Sequence, residues 1–487
     1  MTRRTWFAVL ALAGAAALLR ALAFHGLDLY SDEAYYWLWS TRPAAGYFDH
    51  PPMVAWLIGL SSRLLPGEGG VRLPFVLLGG LTVLFTALAA WELERTPRAP
   101  VLGAMLAAGA PALHLAGAMA LPDGPVVAGY AAALWLLARA RGPRWIAAGV
   151  AVGFALLGKY TAALLAPALL LLVAWDRDLR EQLAGPWPWL GGAVAVLLFL
   201  PNLLWNASHG WIAIAFQLRH GFRGGQTVRG FLEYLGAQAG SPGPVAAVLG
   251  VALAVRARSS PERRVAAAVL VPLLVVTWSA IRGDVEANWP ALVYPGLCAL
   301  AAAWLARRSP RLGWGLAGAQ LGLATVVLLG FAVEIRHPRL LAGSVAVSRF
   351  RSGRGLGREM VAAAAESCRA IGNPPGCTRD PFVYPSSYQY AGHLAYYAGW
   401  TRLGPAEERP SQLDLWDERP RPGEPFLYAG QVAGPGAPFL DHVRFEGEGP
   451  TRSFDVTWGG RVVRHGNVTA FARYLGGQLA GRPPHKP

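Results

Sequence analysis

Apolar residues come in long blocks separated by short polar connectors over the first two thirds of the chain, and in brief bursts over the last third. Ala-, Leu-, Val- and Gly-rich blocks recur from Trp6 to Phe331. A bilayer core of about 30 Å takes about 20 apolar helical residues. The blocks therefore predict spans near 6–24, 72–91, 100–119, 124–139, 145–158, 161–175, 187–205, 231–255, 265–281, 290–306 and 312–333. Several blocks are short for a straight span, so the count of about 11 carries a tolerance of roughly one or two. From 338 onward Pro, Gly and Arg rise and the apolar runs shrink to Phe382–Tyr384, Phe426–Tyr428 and Phe454–Trp458. Such runs between turn residues predict strands, with a helical stretch near 357–370. The fold class is a polytopic α-helical membrane protein with a small C-terminal extracytoplasmic α/β or α+β domain. Its parts are a membrane domain over 1–337, including a first loop over 25–71, and a soluble domain over 338–487. The end, 481–487, is expected to be disordered. No internal repeat is evident.

Composition agrees. Of 487 residues 54% are hydrophobic and 15% charged, with a mean hydropathy of +0.33, whereas a soluble domain carries about 25% charged residues. The net charge of +15 could signal nucleic acid, but the arginines bunch in connectors between apolar blocks, where they act as orientation signals. The first block follows Arg3 and Arg4 and could be a signal peptide, but Leu18-Leu19-Arg20 is no small-residue cleavage site. It is read as a retained helix.

A cytoplasmic N-terminus places Arg3/Arg4, Arg95/Arg98, Arg139/Arg141/Arg144, Arg177/Arg180, Arg256/Arg258/Arg263/Arg264 and Arg307/Arg308/Arg311 in inside connectors. The positive-inside rule then holds at every step. The outside connectors are 25–71, 120–124, 159–160, 206–230 and 282–289, with the tail also outside. Asp32, Glu33, Asp49, His50, Asp123, Lys159, His209, Arg282, Asp284 and Glu286 consequently share one face. That convergence points to one extracytoplasmic active site.

The densest chemistry is Tyr30–Pro52, where Asp32, Glu33, Asp49 and His50 lie among aromatic residues. Acids near hydrocarbon are costly and mark function; an aromatic belt would account for Trp37 and Trp39 but not for the acids. Asp32 and Glu33, adjacent on a helix, point about 100° apart and so serve different ends. One of them can act as general base toward a hydroxyl. Asp32 or Asp49 with His50 could instead bind a divalent metal, which the composition permits without demanding. Pro51 and Pro52 fix the chain after His50 and can also open the next helix. Asp123 lies in a Pro-Asp-Gly-Pro turn. Lys159, with Lys486 one of two lysines in the chain, either snorkels to the interface or binds an anionic headgroup. Arg282 suits a phosphate. Cys298 reads as a packing residue, whereas Cys368 and Cys377 close a small disulfide loop if the tail is outside the cytoplasm.

The ordered set D-E-A-Y-Y (32–36), Y-F-D-H-P-P (47–52), P-D (122–123), K-Y-T (159–161), W-N-A-S-H-G-W (205–211) and E-A-N-W-P (286–290) resembles the bacterial membrane glycosyltransferases of family 39. These have the GT-C architecture and include relatives of protein O-mannosyltransferases and of the lipid A aminoarabinose transferase. Tyr388 and S-Q-L-D-L-W (411–416) extend the likeness into the tail. The resemblance implies transfer of a sugar from a polyprenyl-phosphate donor to a hydroxyl of a lipid, glycan or protein acceptor, outside the cytoplasm of a bacterial inner membrane. It implies Asp32 as base, Glu33 beside it and Asp123 as a second acidic site residue. His50, Lys159, Tyr160, Arg282, Glu286, Tyr35 and Asp49 would bind donor phosphate or substrate. His50 stands where some relatives carry a lysine. The resemblance fixes no cofactor and leaves a divalent metal open; membrane lipids, not nucleic acid, are the expected partners. Single displacement would invert the anomeric centre. A flippase for a lipid-linked sugar is the alternative, but it would favour repeat symmetry and charges at mid-membrane. A scaffold with a partner-binding tail is a third reading.

Overall fold

The computed structural model describes residues 1–221, 227–283, 285–337, 349–406, 409–430 and 443–477. The expected disorder over 481–487, and Asp284, lie outside them. Among the described residues six helices are long and apolar enough to cross a bilayer: Arg3–Phe24, Glu68–Leu93, Trp187–Ser208, Ser260–Arg282, Trp289–Ala306 and Pro310–Arg336. Shorter apolar helices fill the other expected positions. Two of those expectations, 100–119 and 231–255, meet breaks. The first divides into Arg98–Ala108 and Pro111–Ala116, the second at Ser241–Pro244. Pro111, Pro242 and Pro244 bring no N–H to the preceding turn, and Gly243 takes φ +83°.

The chain divides into two compact units: 1–25 with 50–57 and 72–330, and 26–49 with 58–71 and 331–487. The first is a helical bundle whose centre is alanine. Ala87, Ala90, Ala104, Ala107, Ala133, Ala155 and Ala299 are all buried. Lipid tails are as apolar as leucine, so helices in a bilayer associate through small residues that let backbones meet. A β-carbon at Gly149 would lie 2.0 Å from the Gly191 carbonyl oxygen, and one at Gly158 would lie 2.7 Å from Val126 N. The Arg144–Gly158 helix is thereby seated between Trp187–Ser208 and Asp123–Ala138.

The arginine-rich connectors assigned to one side meet one another. Glu92 takes Arg144 at 3.0 Å and Arg139 at 3.6 Å, besides Arg95. Arg264, itself buried, reaches Asp176 at 3.3 Å and Asp178 at 2.7 Å, and Arg141 also pairs with Asp178. Arg307 joins Glu94 at 2.6 Å and Glu262 at 3.0 Å. Orientation signals thus double as ties between helix ends.

The second unit is built on a five-stranded sheet: β1 Phe382–Pro385, β2 Phe426–Gly430, β3 Val443–Glu448, β4 Arg452–Trp458 and β5 Arg461–Gly477. Its order is β1-β2-β5-β3, with β4 also on β5. The first pair is parallel and the rest antiparallel. The helix Gly353–Ala370 lays Leu356, Met360, Ala364 and Cys368 into the core. Cys368 is bonded to Cys377, so the loop anticipated from spacing closes. In the first loop, Ser31–Ser40 and Met53–Leu64 are helical, and Leu38 joins the core formed by Leu356, Tyr390, Leu394, Leu413 and Leu427.

Candidate active site

The Ser31–Ser40 helix starts where Tyr30, in extended conformation, donates its N–H to Glu33 Oε2 at 2.8 Å. A carboxylate three residues into a helix satisfies an orphan donor there and complements the helix dipole. Glu33 is fully buried, while Asp32, one position earlier, is half-buried and accepts Gln389 Nε2 at 2.8 Å on Oδ1. Helical geometry thus turns two adjacent carboxylates to different surroundings. Tyr35, one turn on from Asp32, is buried. Its hydroxyl donates to Asp49 Oδ2 at 3.1 Å and accepts the Gln412 N–H at 2.8 Å. Asp49 is buried and pairs with Arg409 at 2.9 Å. Arg409 lies 4.0 Å over the Tyr388 ring, which meets Tyr35 edge-on at 4.7 Å.

Burial pushes the Tyr35 hydroxyl well above its ordinary pKa, with the Asp49 charge adding to it. Tyr36 is raised by burial and then by Asp32 and Asp49. Both stay protonated donors. Burial opposes the charge on Arg409, but Asp49 and the Tyr388 and Tyr35 hydroxyls outweigh it and raise its pKa. The aromatic residues are internal. Trp39 is fully buried and stacks on Tyr47 at 4.5 Å, so it is no lipid-facing belt residue. Gln412 Oε1 accepts Phe48 N–H at 2.8 Å. The tail segment Ser411–Trp416 therefore holds both ends of the first-loop cluster.

The first unit carries a second constellation. Asp123 opens the Asp123–Ala138 helix and is buried; its two oxygens accept Lys159 Nζ at 3.2 Å and Asn288 Nδ2 at 3.1 Å. Lys159 is buried where the Arg144–Gly158 helix gives way to a tight turn. Its charge is matched by Asp123 and not left to snorkel. Tyr160 accepts Asn206 Nδ2 at 3.1 Å. Three connectors expected on one side thus meet at these residues. Arg282 and Glu286 are exposed, Arg282 lying 5.7 Å from the Trp278 ring centroid. His50 is half-buried, and the Met53–Leu64 helix begins directly after Pro51-Pro52. Among the described residues no group of three or more His, Cys, Asp or Glu side chains is arranged to hold a metal ion.

Gln389, Arg409 and Asn288 entered no sequence expectation about chemistry. Gln389 stands next to the noted Tyr388, and Asn288 lies inside the E-A-N-W-P motif. Arg409 lies in an irregular segment with no periodic signal.

Residues 49–205 match the model of the dolichyl-phosphate-mannose-protein mannosyltransferase family. The lipid A galacturonosyltransferase RgtD of Rhizobium johnstonii is 28% identical over 71% of this chain and 75% of its own length. The undecaprenyl phosphate-alpha-4-amino-4-deoxy-L-arabinose arabinosyl transferase 1 of Pseudomonas fluorescens is 30% identical over 41% of this chain and 40% of its own. Among solved structures, ArnT from Cupriavidus metallidurans in the apo state superposes with a TM-score of 0.66 at 16% identity, covering 96% of this chain and 98% of that one. The fold is therefore the ArnT-like GT-C fold: apolar helices and a small C-terminal sheet domain. The family match, the relatives and the shared fold agree with the resemblance to the membrane glycosyltransferases of family 39. The chain is a multi-pass membrane protein.

Proposed function

We propose that this protein transfers a sugar from an undecaprenyl-phosphate donor to a hydroxyl of lipid A at the extracytoplasmic face of a bacterial inner membrane, with inversion. The donor and acceptor classes are supported by the relatives' names and by the ArnT likeness in the undecaprenyl phosphate-bound state, at a TM-score of 0.63. One observation carries the catalytic assignment: of the three acids between Tyr30 and Pro52, Glu33 and Asp49 are buried in structural bonds, and Asp32 is half-buried, oriented by Gln389.

In this reading Asp32 takes the proton of the acceptor hydroxyl as its oxygen attacks the anomeric carbon. The bond from that carbon to the phosphate oxygen breaks, and polyprenyl phosphate leaves with the electron pair. Charge grows on the phosphate in the transition state, and fixed cations are worth most there. His50, Lys159 and Arg282 are the cations assigned to it, with Tyr160 and Glu286 as substrate contacts and Asp123 holding Lys159 in place. Glu33 and Asp49 become positioning groups.

The test is in vitro transfer. Purified protein, a membrane extract containing native polyprenyl-phosphate sugars, and lipid A are incubated with and without EDTA and followed by mass spectrometry and NMR. A sugar-mass gain on lipid A with opposite anomeric configuration to the donor is expected. Retained configuration excludes single displacement. Donor consumed without acceptor gain, or donor moved across vesicles unmodified, excludes the transferase reading in favour of hydrolysis or transport.

A further inference from the structure

Several arginines in the second unit are matched by acids. Arg402 pairs with Glu424 at 2.5 Å, Arg409 with Asp49, Arg354 with Asp28 at 2.9 Å, and Arg42 with Glu418. Arg349, Arg351 and Arg464 are among those that make no ion pair within the described residues, and Arg349 and Arg464 meet only neutral partners. Arg464, on β5, donates Nη1 to His393 Nδ1 at 3.2 Å and lies 5.0 Å from the Tyr390 ring centroid. His393 is fully buried, and its Nε2–H donates to the Leu29 carbonyl at 3.2 Å, which fixes the neutral tautomer with Nδ1 as acceptor. The Tyr390 hydroxyl is buried without a hydrogen-bond partner among the described residues. Arg349 is exposed, lies 5.4 Å over the Tyr30 ring and donates to its hydroxyl. Burial lowers the pKa of Arg464, Tyr390 opposes that, and the like charge of Arg349 lowers it further. A charge taken out of water beside another of the same sign, with neutral neighbours, is costly unless an anion completes the site.

The place of this cluster in the fold says which anion. Arg351 donates Nε to the Ile335 carbonyl at 3.2 Å, in the last turn of the membrane helix Pro310–Arg336, and its guanidinium lies 4.7 Å from the Trp458 ring centroid. The tip of the β4–β5 hairpin is thereby tied to the end of a bilayer-crossing helix. Gly459 (φ +56°) and Gly460 (φ +76°) make the two-residue turn. Beside it stand Trp458, Arg461 and the exposed Val462. Tryptophan with arginine is the composition of a membrane–water boundary. Nearby acids are engaged: Asp28 by Arg354, and Asp455 by His465 at 2.6 Å, one residue on from Arg464 and so on the opposite face of β5.

We propose that Arg349, Arg351 and Arg464, with the β4–β5 hairpin tip, form a docking surface for the phosphate-bearing headgroup of a membrane lipid. Paired N–H groups of arginine suit phosphate oxygens, and the tryptophan and valine of the tip sit against acyl chains. That this lipid is the sugar acceptor rests on the function proposed above; the docking itself does not.

The test measures binding and not transfer. The full chain in detergent micelles is titrated, with native mass spectrometry as readout, against bisphosphorylated lipid A, its dephosphorylated form, phosphatidylcholine and inorganic phosphate. Lipid A is expected to bind at least tenfold tighter than the dephosphorylated form or phosphatidylcholine. Arg349→Gln with Arg464→Gln should abolish that preference, and Arg349→Gln alone, at an exposed site, should weaken it severalfold. Unchanged preference in both variants overturns the proposal. Displacement of lipid A by inorganic phosphate at equal concentration also overturns it, since the site would then be one for a free anion. If this binding holds while no sugar is transferred, docking stands and the acceptor assignment falls.

Discussion

At the scale of single residues, the acids of the first loop separate by partner. Asp49 is consumed by Arg409 and Tyr35. Removing one member of a buried pair leaves the other charged and unsolvated, at about 3–5 kcal/mol. Arg409→Ala should therefore lower the melting temperature of the purified protein by several degrees, followed by tryptophan fluorescence, and an unchanged melt would refute the anchoring role. Asp123 and Lys159 form a comparable buried pair; Lys159→Met should cost more stability than Lys159→Met combined with Asp123→Asn, because the double change leaves no lone charge. A double variant less stable than the single would contradict that. The sequence exposed this level unevenly. The 100° divergence of Asp32 and Glu33 follows from helical adjacency alone. The identity of Arg409 does not, because its partner lies 360 residues earlier and nothing local marks it.

At the scale of elements, the first-loop helix was the least legible. Ser31–Ser40 is short, with four aromatic residues among its ten and no apolar stripe to distinguish it from a loop. What shapes it is Leu38 in the core of its unit, a long-range effect, and the Glu33 cap, a local one. The strands at 382, 426 and 454 were readable, since short β-branched and aromatic runs sat between turn residues. The Cys368–Cys377 bond closes a loop of sequence separation 9, which by chain entropy stabilises by about 2.5 kcal/mol. Cys368→Ala with Cys377→Ala should lower the second unit's stability by about that amount in a denaturant titration, and no change would show the reduced loop to be already ordered. His393 supplies a pH dependence. Burial, then Arg464, depresses its pKa from 6.5 to about 3. The unfolded chain then binds a proton that the folded chain does not between those values, so stability is full above pH 6.5 and falls as pH drops toward 3. The slope is up to about 1.4 kcal/mol per pH unit. His393→Gln should flatten the melting temperature against pH between 6.5 and 4, and an unaltered slope would assign the effect elsewhere.

At the scale of the whole molecule, the alternation of arginine-rich and arginine-poor connectors predicted which loops share a side, and the first unit joins them accordingly. Glu92 gathers Arg139 and Arg144 from one further connector, and Asp123 gathers Lys159 and Asn288 from two others. Helix breaks at 109–110 and 241–244 were hidden because hydropathy counts apolar residues and not the backbone donors that proline removes. The positive-inside rule assigns Arg177 to the cytoplasm and Arg358 to the outside, and both are exposed. Cysteines at these positions should label with an impermeant maleimide in opposite-sided vesicles; labelling from the same side would overturn the topology. In the proposed mechanism Asp32, and not its buried neighbours, is the base. Its most direct test is the initial rate of sugar transfer by Asp32→Asn beside wild type, with matched melting temperatures. A fall of roughly 10²–10⁴-fold without loss of lipid binding is the predicted result. Transfer within a few-fold of wild type would contradict it.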